Sequence, residues 1–132
     1  PGKITPGTSD TPNISMDVYP TLLELTGQKL MPQQHLDGHS LASALDDRPD
    51  DTLKSRAIYW TYPHNHGSGH KPSHAIRKDG WKLIHFEAGK KYELYNLAED
   101  LGEKTDLSDK FPEKVKALDT ELMGWIKQTT PK

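Results

Sequence analysis

Four of the seven histidines fall in one stretch, Trp60-Thr61-Tyr62-Pro63-His64-Asn65-His66-Gly67-Ser68-Gly69-His70-Lys71-Pro72-Ser73-His74. Three kinds of chemistry fit these residues. Imidazole, indole, phenol and amide groups on a Gly-containing connector give a polar, ring-shaped ligand such as a sugar both stacking faces and hydrogen-bond donors. On that reading His64 and His66 are the leading contacts, followed by Tyr62, Asn65 and His70. Alternatively, His64-x-His66 on extended backbone puts both rings on one face, and His70 or His74 completes a neutral-imidazole set for zinc. No Cys and no helical His-Glu-x-x-His pattern supports that metal site. The third reading is a solvated loop whose histidines satisfy nearby backbone groups.

Other polar groups offer less. Arg77 and Lys82 flank a predicted hairpin and read as cross-strand partners or solvated face, and Lys71 and Lys78 add no defined site. Glu99, Asp100, Glu103 and Asp106 share one turn-rich stretch, which suits capping and solvation better than carboxylates facing across a cleft. There is no Gly-x-Ser-x-Gly elbow and no Cys to act as nucleophile.

The elements that must position the histidine stretch follow from period and punctuation. Residues 1–13, rich in Pro, Gly and Thr, predict an irregular segment. Val18, Leu22 and Leu25 recur at helical spacing, widened by Tyr19 and Leu23, and predict a mostly buried helix over 18–26. Asp17 would be its N-cap, Pro20 would sit in its first turn and Gly27 at its C′ position. Ser40 caps a short predicted helix at 41–45, and residues 46–51 read as a solvated connector.

Beyond residue 57 the period shortens. Ala57–Tyr62 is β-branched and aromatic and predicts a strand; 73–77 and 81–86 flank Lys78-Asp79-Gly80, whose Asp-Gly pair suits a tight antiparallel hairpin. Residues 92–97 predict a fourth strand after a small loop around Gly89. Pro112 opens a final helix over 112–127 with Val115, Leu118, Leu122 and Trp125 on one stripe, and Trp81 and Trp125 read as core. The economical fold is α+β: a four-stranded antiparallel sheet with the C-terminal helix on one face. The helix at 18–26 is left without an evident partner.

Composition narrows the function classes. The chain has 132 residues, 17 Lys+Arg against 19 Asp+Glu, a formal charge of −2 and no Cys. With Gly counted and Tyr left out, apolar residues make up about 37%, below the roughly 45–50% of soluble domains, so the core should be thin. No basic stripe exists for nucleic acid, and no apolar run approaches the length of a membrane span. The start at Pro1-Gly2 reads as a cut through a loop.

Five phrases in order carry a resemblance: Pro1-Gly2-Lys3-Ile4; Met16-Asp17-Val18-Tyr19-Pro20-Thr21-Leu22-Leu23-Glu24-Leu25-Thr26-Gly27; Leu36-Asp37-Gly38-His39-Ser40-Leu41; Ala75-Ile76-Arg77-Lys78-Asp79-Gly80-Trp81-Lys82-Leu83-Ile84; and Glu93-Leu94-Tyr95-Asn96-Leu97-Ala98-Glu99-Asp100-Leu101-Gly102-Glu103. Together they resemble the C-terminal part of formylglycine-dependent sulfatases, the arylsulfatase family. Trp60-Thr61-Tyr62-Pro63-His64 is similar to the bacterial polysaccharide-sulfatase branches.

The resemblance implies that residues 1–50 are the edge of a large α/β, alkaline-phosphatase-like domain and that 51–132 form the C-terminal subdomain. The helix at 18–26 then packs on the missing N-terminal domain. Hydrolysis of sulfate esters, of a carbohydrate or glycosaminoglycan, belongs to the whole enzyme, which is expected to be periplasmic or secreted. Its formylglycine, made from the Cys of a Cys-x-Pro-Ser-Arg motif, and its calcium are expected upstream. No catalytic or metal-binding residue is assigned in this chain, which alone is expected to be inactive. Expected partners are the N-terminal domain and a sulfated carbohydrate, with neither nucleic acid nor membrane. The alternatives are a free-standing carbohydrate-binding or interaction module and a small zinc-binding domain.

Overall fold

The structure, a computed structural model, describes all residues except 1–3, 5, 47, 49, 66, 68, 70 and 130–132. Two compact units are present, Pro1–Arg56 and Ala57–Lys132.

The first unit holds a 3₁₀ turn at Ser15–Asp17 and three helices, α1 (Val18–Leu25), α2 (Ala42–Leu45) and α3 (Asp51–Ser55). A Schellman motif ends α1: the Gln28 amide donates to the Leu23 carbonyl at 2.8 Å and the Gly27 amide to the Glu24 carbonyl at 3.0 Å. Two expectations change here. Asp17 does not cap α1 through its side chain. Its carboxylate is fully buried and accepts from the amides of Ile14 (2.8 Å) and His39 (3.0 Å) and from both terminal nitrogens of Arg56. Nor is α1 mostly buried within this chain. Pro20 and Thr21 face inward, with Thr21 Oγ1 accepting from the Leu41 amide at 2.9 Å, while Val18 and Leu22 are each 55% exposed and Leu25 49%.

The region read as a connector also contains structure. Asp50 caps α3, accepting from the Leu53 amide at 3.1 Å and from Ser43 Oγ at 2.8 Å, and these bonds hold its carboxyl below the ordinary range.

At Gly38 the backbone passes so close to Met16 that a Cβ would stand 2.3 Å from the Met16 carbonyl oxygen. Gly38→Ala should therefore destabilise the protein by about 1–3 kcal/mol, the range for forced overpacking. A urea midpoint equal to that of the parent protein would refute this.

The second unit is the predicted α+β layer. Strands β1 (Ile58–Tyr62), β2 (Ser73–Lys78), β3 (Trp81–Phe86) and β4 (Lys91–Asn96) form an antiparallel sheet in that order, and α4 (Pro112–Thr129) packs on it. Asp79 and Gly80 both have positive φ, 48° and 77°, so the β2–β3 hairpin closes as its Asp-Gly pair predicts. Ile76, Leu83 and Leu94 stand side by side on neighbouring strands and meet Val115, Leu118 and Leu122 of α4. Trp81 and Trp125 pack around this core, Trp125 stacked on Tyr59 at 4.9 Å. Two members of the acidic cluster bond to backbone amides as expected, Asp106 accepting from those of Leu94 and Ser108 and Asp100 from those of Lys104 and Thr105, whereas Glu103 pairs with Lys82.

Candidate functional site

The histidine stretch leaves the sheet at the end of β1 and returns at the start of β2. Alternation along β1 puts Trp60 and Tyr62 on the face away from α4, where they are 45% and 39% exposed. His64 and Asn65 follow on exposed backbone past the strand end. The stretch thus presents an indole, a phenol, an imidazole and an amide to solvent along one exit. His66 and His70, the other two candidates, lie outside the described residues.

The α4-facing side of the same sheet end is polar. Register aligns Thr61 with His74, His74 with His85 and His85 with Tyr92, one row across all four strands. His74 Nδ1 is 2.8 Å from Thr61 Oγ1, and its Nε2 is 3.0 Å from Glu87 Oε1. His85 Nδ1 is 2.8 Å from Asp119 Oδ1, and the Tyr92 hydroxyl donates to Asp119 Oδ2 at 3.0 Å. Burial pushes the Tyr92 phenol above its ordinary range, and the Asp119 bond adds to that. The His74 and His85 rings meet edge to face at 6.3 Å.

Sequence reading singled out His74 only as a zinc ligand in reserve, and it missed Thr61 and Glu87. The signal that finds them is pairing register, since one residue before the end of β1 and one after the start of β2 face each other in a hairpin. Arg77 and Lys82 are register partners, and Lys82 pairs with Glu103 at 2.7 Å. Among the described residues no three His, Asp or Glu side chains converge on a point where a metal would sit. The described residues therefore form no cluster that would hold a calcium ion, and the sequence has no Cys from which a formylglycine could be made.

The first unit contains a separate polar cleft of about 340 Å³ lined by Glu24, His39, Ser40, Ser43, Arg48 and Asp50, among others. Its Asp50 is already committed to capping α3, and Arg48 pairs with Asp46 at 3.3 Å.

The family model described as N-sulphoglucosamine sulphohydrolase, C-terminal, matches residues 1–130. A four-stranded antiparallel sheet backed by a C-terminal helix, preceded by a helical segment, is the architecture shared with solved sulfatases, and the chain belongs to this family of sulfatase C-terminal domains.

Among curated relatives, a sulfatase of Formosa agariphila is 32% identical over 99% of this chain and 26% of its own length. Arylsulfatase K of Gallus gallus is 33% identical over 84% of the chain and 21% of its own. The chain thus spans about a quarter or less of the relatives it matches. A solved 2-O glycosaminoglycan sulfatase superposes with a TM-score of 0.68 at 23% identity, covering 85% of this chain and 24% of that one. A protein solved with its substrate D-glucosamine-2-N,6-O-disulfate gives 0.63 at 28% identity, over 85% and 23%.

Proposed function

We propose that this chain is the C-terminal portion of a sulfatase that hydrolyses sulfate esters of a carbohydrate or glycosaminoglycan. Residues 51–132 line the substrate cleft, and the catalytic residues lie outside the chain. The observation that carries this is the exit of β1, where Trp60, Tyr62, His64 and Asn65 stand exposed in sequence order on a domain of this family. Aromatic faces beside imidazole and amide donors suit a sulfated sugar. His66 and His70 belong to the same proposed contact set. Formylglycine and calcium would supply the sulfuryl-transfer chemistry from the N-terminal domain.

The exposed apolar side chains of α1, Val18, Tyr19, Leu22 and Leu25, with Met16 of the 3₁₀ turn before it, support residues 1–50 being part of that larger domain's packing. The enzyme is proposed to be periplasmic or secreted. No helix among the described residues is long and apolar enough to cross a membrane.

The test is His64→Ala in the sulfatase that carries this segment. KM for a sulfated saccharide should rise about 10-fold, the loss of one hydrogen bond to a charged group, with kcat within about two-fold. Unchanged KM removes His64 from the site. Hydrolysis of a sulfated saccharide by the 132-residue chain alone would overturn the assignment of catalysis to the N-terminal domain.

A further inference from the structure

We propose that His74 is a positioning residue for substrate binding, pinning the base of the histidine segment so that His64 leaves the sheet at a fixed angle; this rests on the reading of that segment as a saccharide contact. The geometry is a closed ring of contacts around the base. A carboxylate can only accept, so the Nε2–H of His74 donates to Glu87 Oε1, and in the neutral ring Nδ1 then accepts the Thr61 hydroxyl proton. Glu87 turns back onto the segment's other end, its amide donating to the Pro72 carbonyl at 3.2 Å. One imidazole therefore links the last turn-out of β1, the start of β2 and the residue after β3.

His74 is well placed to hold still. Its side chain is only 11% exposed, and its ring abuts His85, which Asp119 ties to α4. Neither Thr61 nor His74 projects to the face that carries Trp60 and Tyr62, so the pair acts on substrate through the backbone it fixes. Binding groups on a connector need such support, because a shift of about 1 Å in a positioned group can lower activity by as much as 10²-fold.

The experiment uses the complete sulfatase, the sulfated saccharide it turns over fastest in a panel of sulfated mono- and disaccharides, and 4-nitrophenyl sulfate as a substrate too small to reach the segment. His74→Ala and Thr61→Val should each raise KM for the saccharide about 5- to 10-fold, leave kcat within about two-fold and leave 4-nitrophenyl sulfate kinetics unchanged. His74→Asn, whose amide occupies the Nδ1 position and can still accept from Thr61, should recover most of the loss. His64→Ala combined with His74→Ala should match His64→Ala alone, because both act on one contact.

If His64→Ala raises KM while His74→Ala and Thr61→Val leave it unchanged, or if the His64 and His74 effects multiply, the positioning role is wrong and the substrate reading stands. If His64→Ala has no effect, or no saccharide is turned over, the substrate reading itself falls and the positioning role falls with it. Should His74→Ala fail to fold, Thr61→Val, which keeps the side chain's shape, decides the question.

Discussion

Arg56→Ala should destabilise the first unit by about 3–5 kcal/mol, the range for leaving one member of a buried ion pair behind. Arg56 is 8% exposed at its side chain and Asp17 not at all. Besides both Asp17 oxygens, the guanidinium donates to the Pro12 carbonyl at 2.9 Å, so three parts of the unit, residues 12–17, 38–39 and 56, meet at one carboxylate. Burial pushes the Asp17 carboxyl up, but the Arg56 and amide hydrogen bonds outweigh it and hold the group below its ordinary 3.8. The folded value is depressed, so this stabilisation is complete above the unfolded carboxyl's range and is lost as pH falls through the lower folded value.

All three Trp residues, 60, 81 and 125, lie in the second unit, so their fluorescence is a poor monitor here. Amide exchange at Ile14 and His39, whose N–H groups the carboxylate accepts, reads the loss directly. Faster exchange at both is expected in Arg56→Ala. Parent-like exchange in Arg56→Ala would show that the pair contributes little.

The second large effect is in the sheet. Leu83→Ala should lower stability by about 2–5 kcal/mol, the transfer free energy of the lost side chain plus a cavity that a central strand cannot collapse into. Leu83 is fully buried between Ile76 and Leu94 on neighbouring strands and beneath α4, all members of one six-residue cluster. A thin core has few other contacts to absorb the defect. Tryptophan fluorescence suits this variant, since Trp81 and Trp125 flank the cluster. A urea midpoint within error of the parent would mean the sheet rests on something other than this layer.

The regular elements were legible because their signals are local. The β-branched and aromatic run of Ala57–Tyr62, the Asp79-Gly80 turn between 73–77 and 81–86 and the stripe from Val115 to Trp125 are each read within a few residues of chain. Strand order followed because each short connection joins neighbours in an antiparallel sheet. Helix α3 was missed because its cap, Asp50, sits in a run of charges that resembles a connector, and the bond from Ser43 that fixes it comes from another helix.

The sequence by itself determined that this is an α+β domain of the sulfatase family, that the chain has no Cys, and that its histidines concentrate between two strands. Only the tertiary structure decided which side of α1 turns outward, that Asp17 is a buried partner of Arg56 instead of a cap, and that His74 bridges Thr61 and Glu87. The reason is range. Periodicity and turn chemistry act within a few residues, whereas the Asp17–Arg56 pair and the Thr61–His74–Glu87 bridge join groups 39 and 13 positions apart, and such partners are set by strand register and chain path.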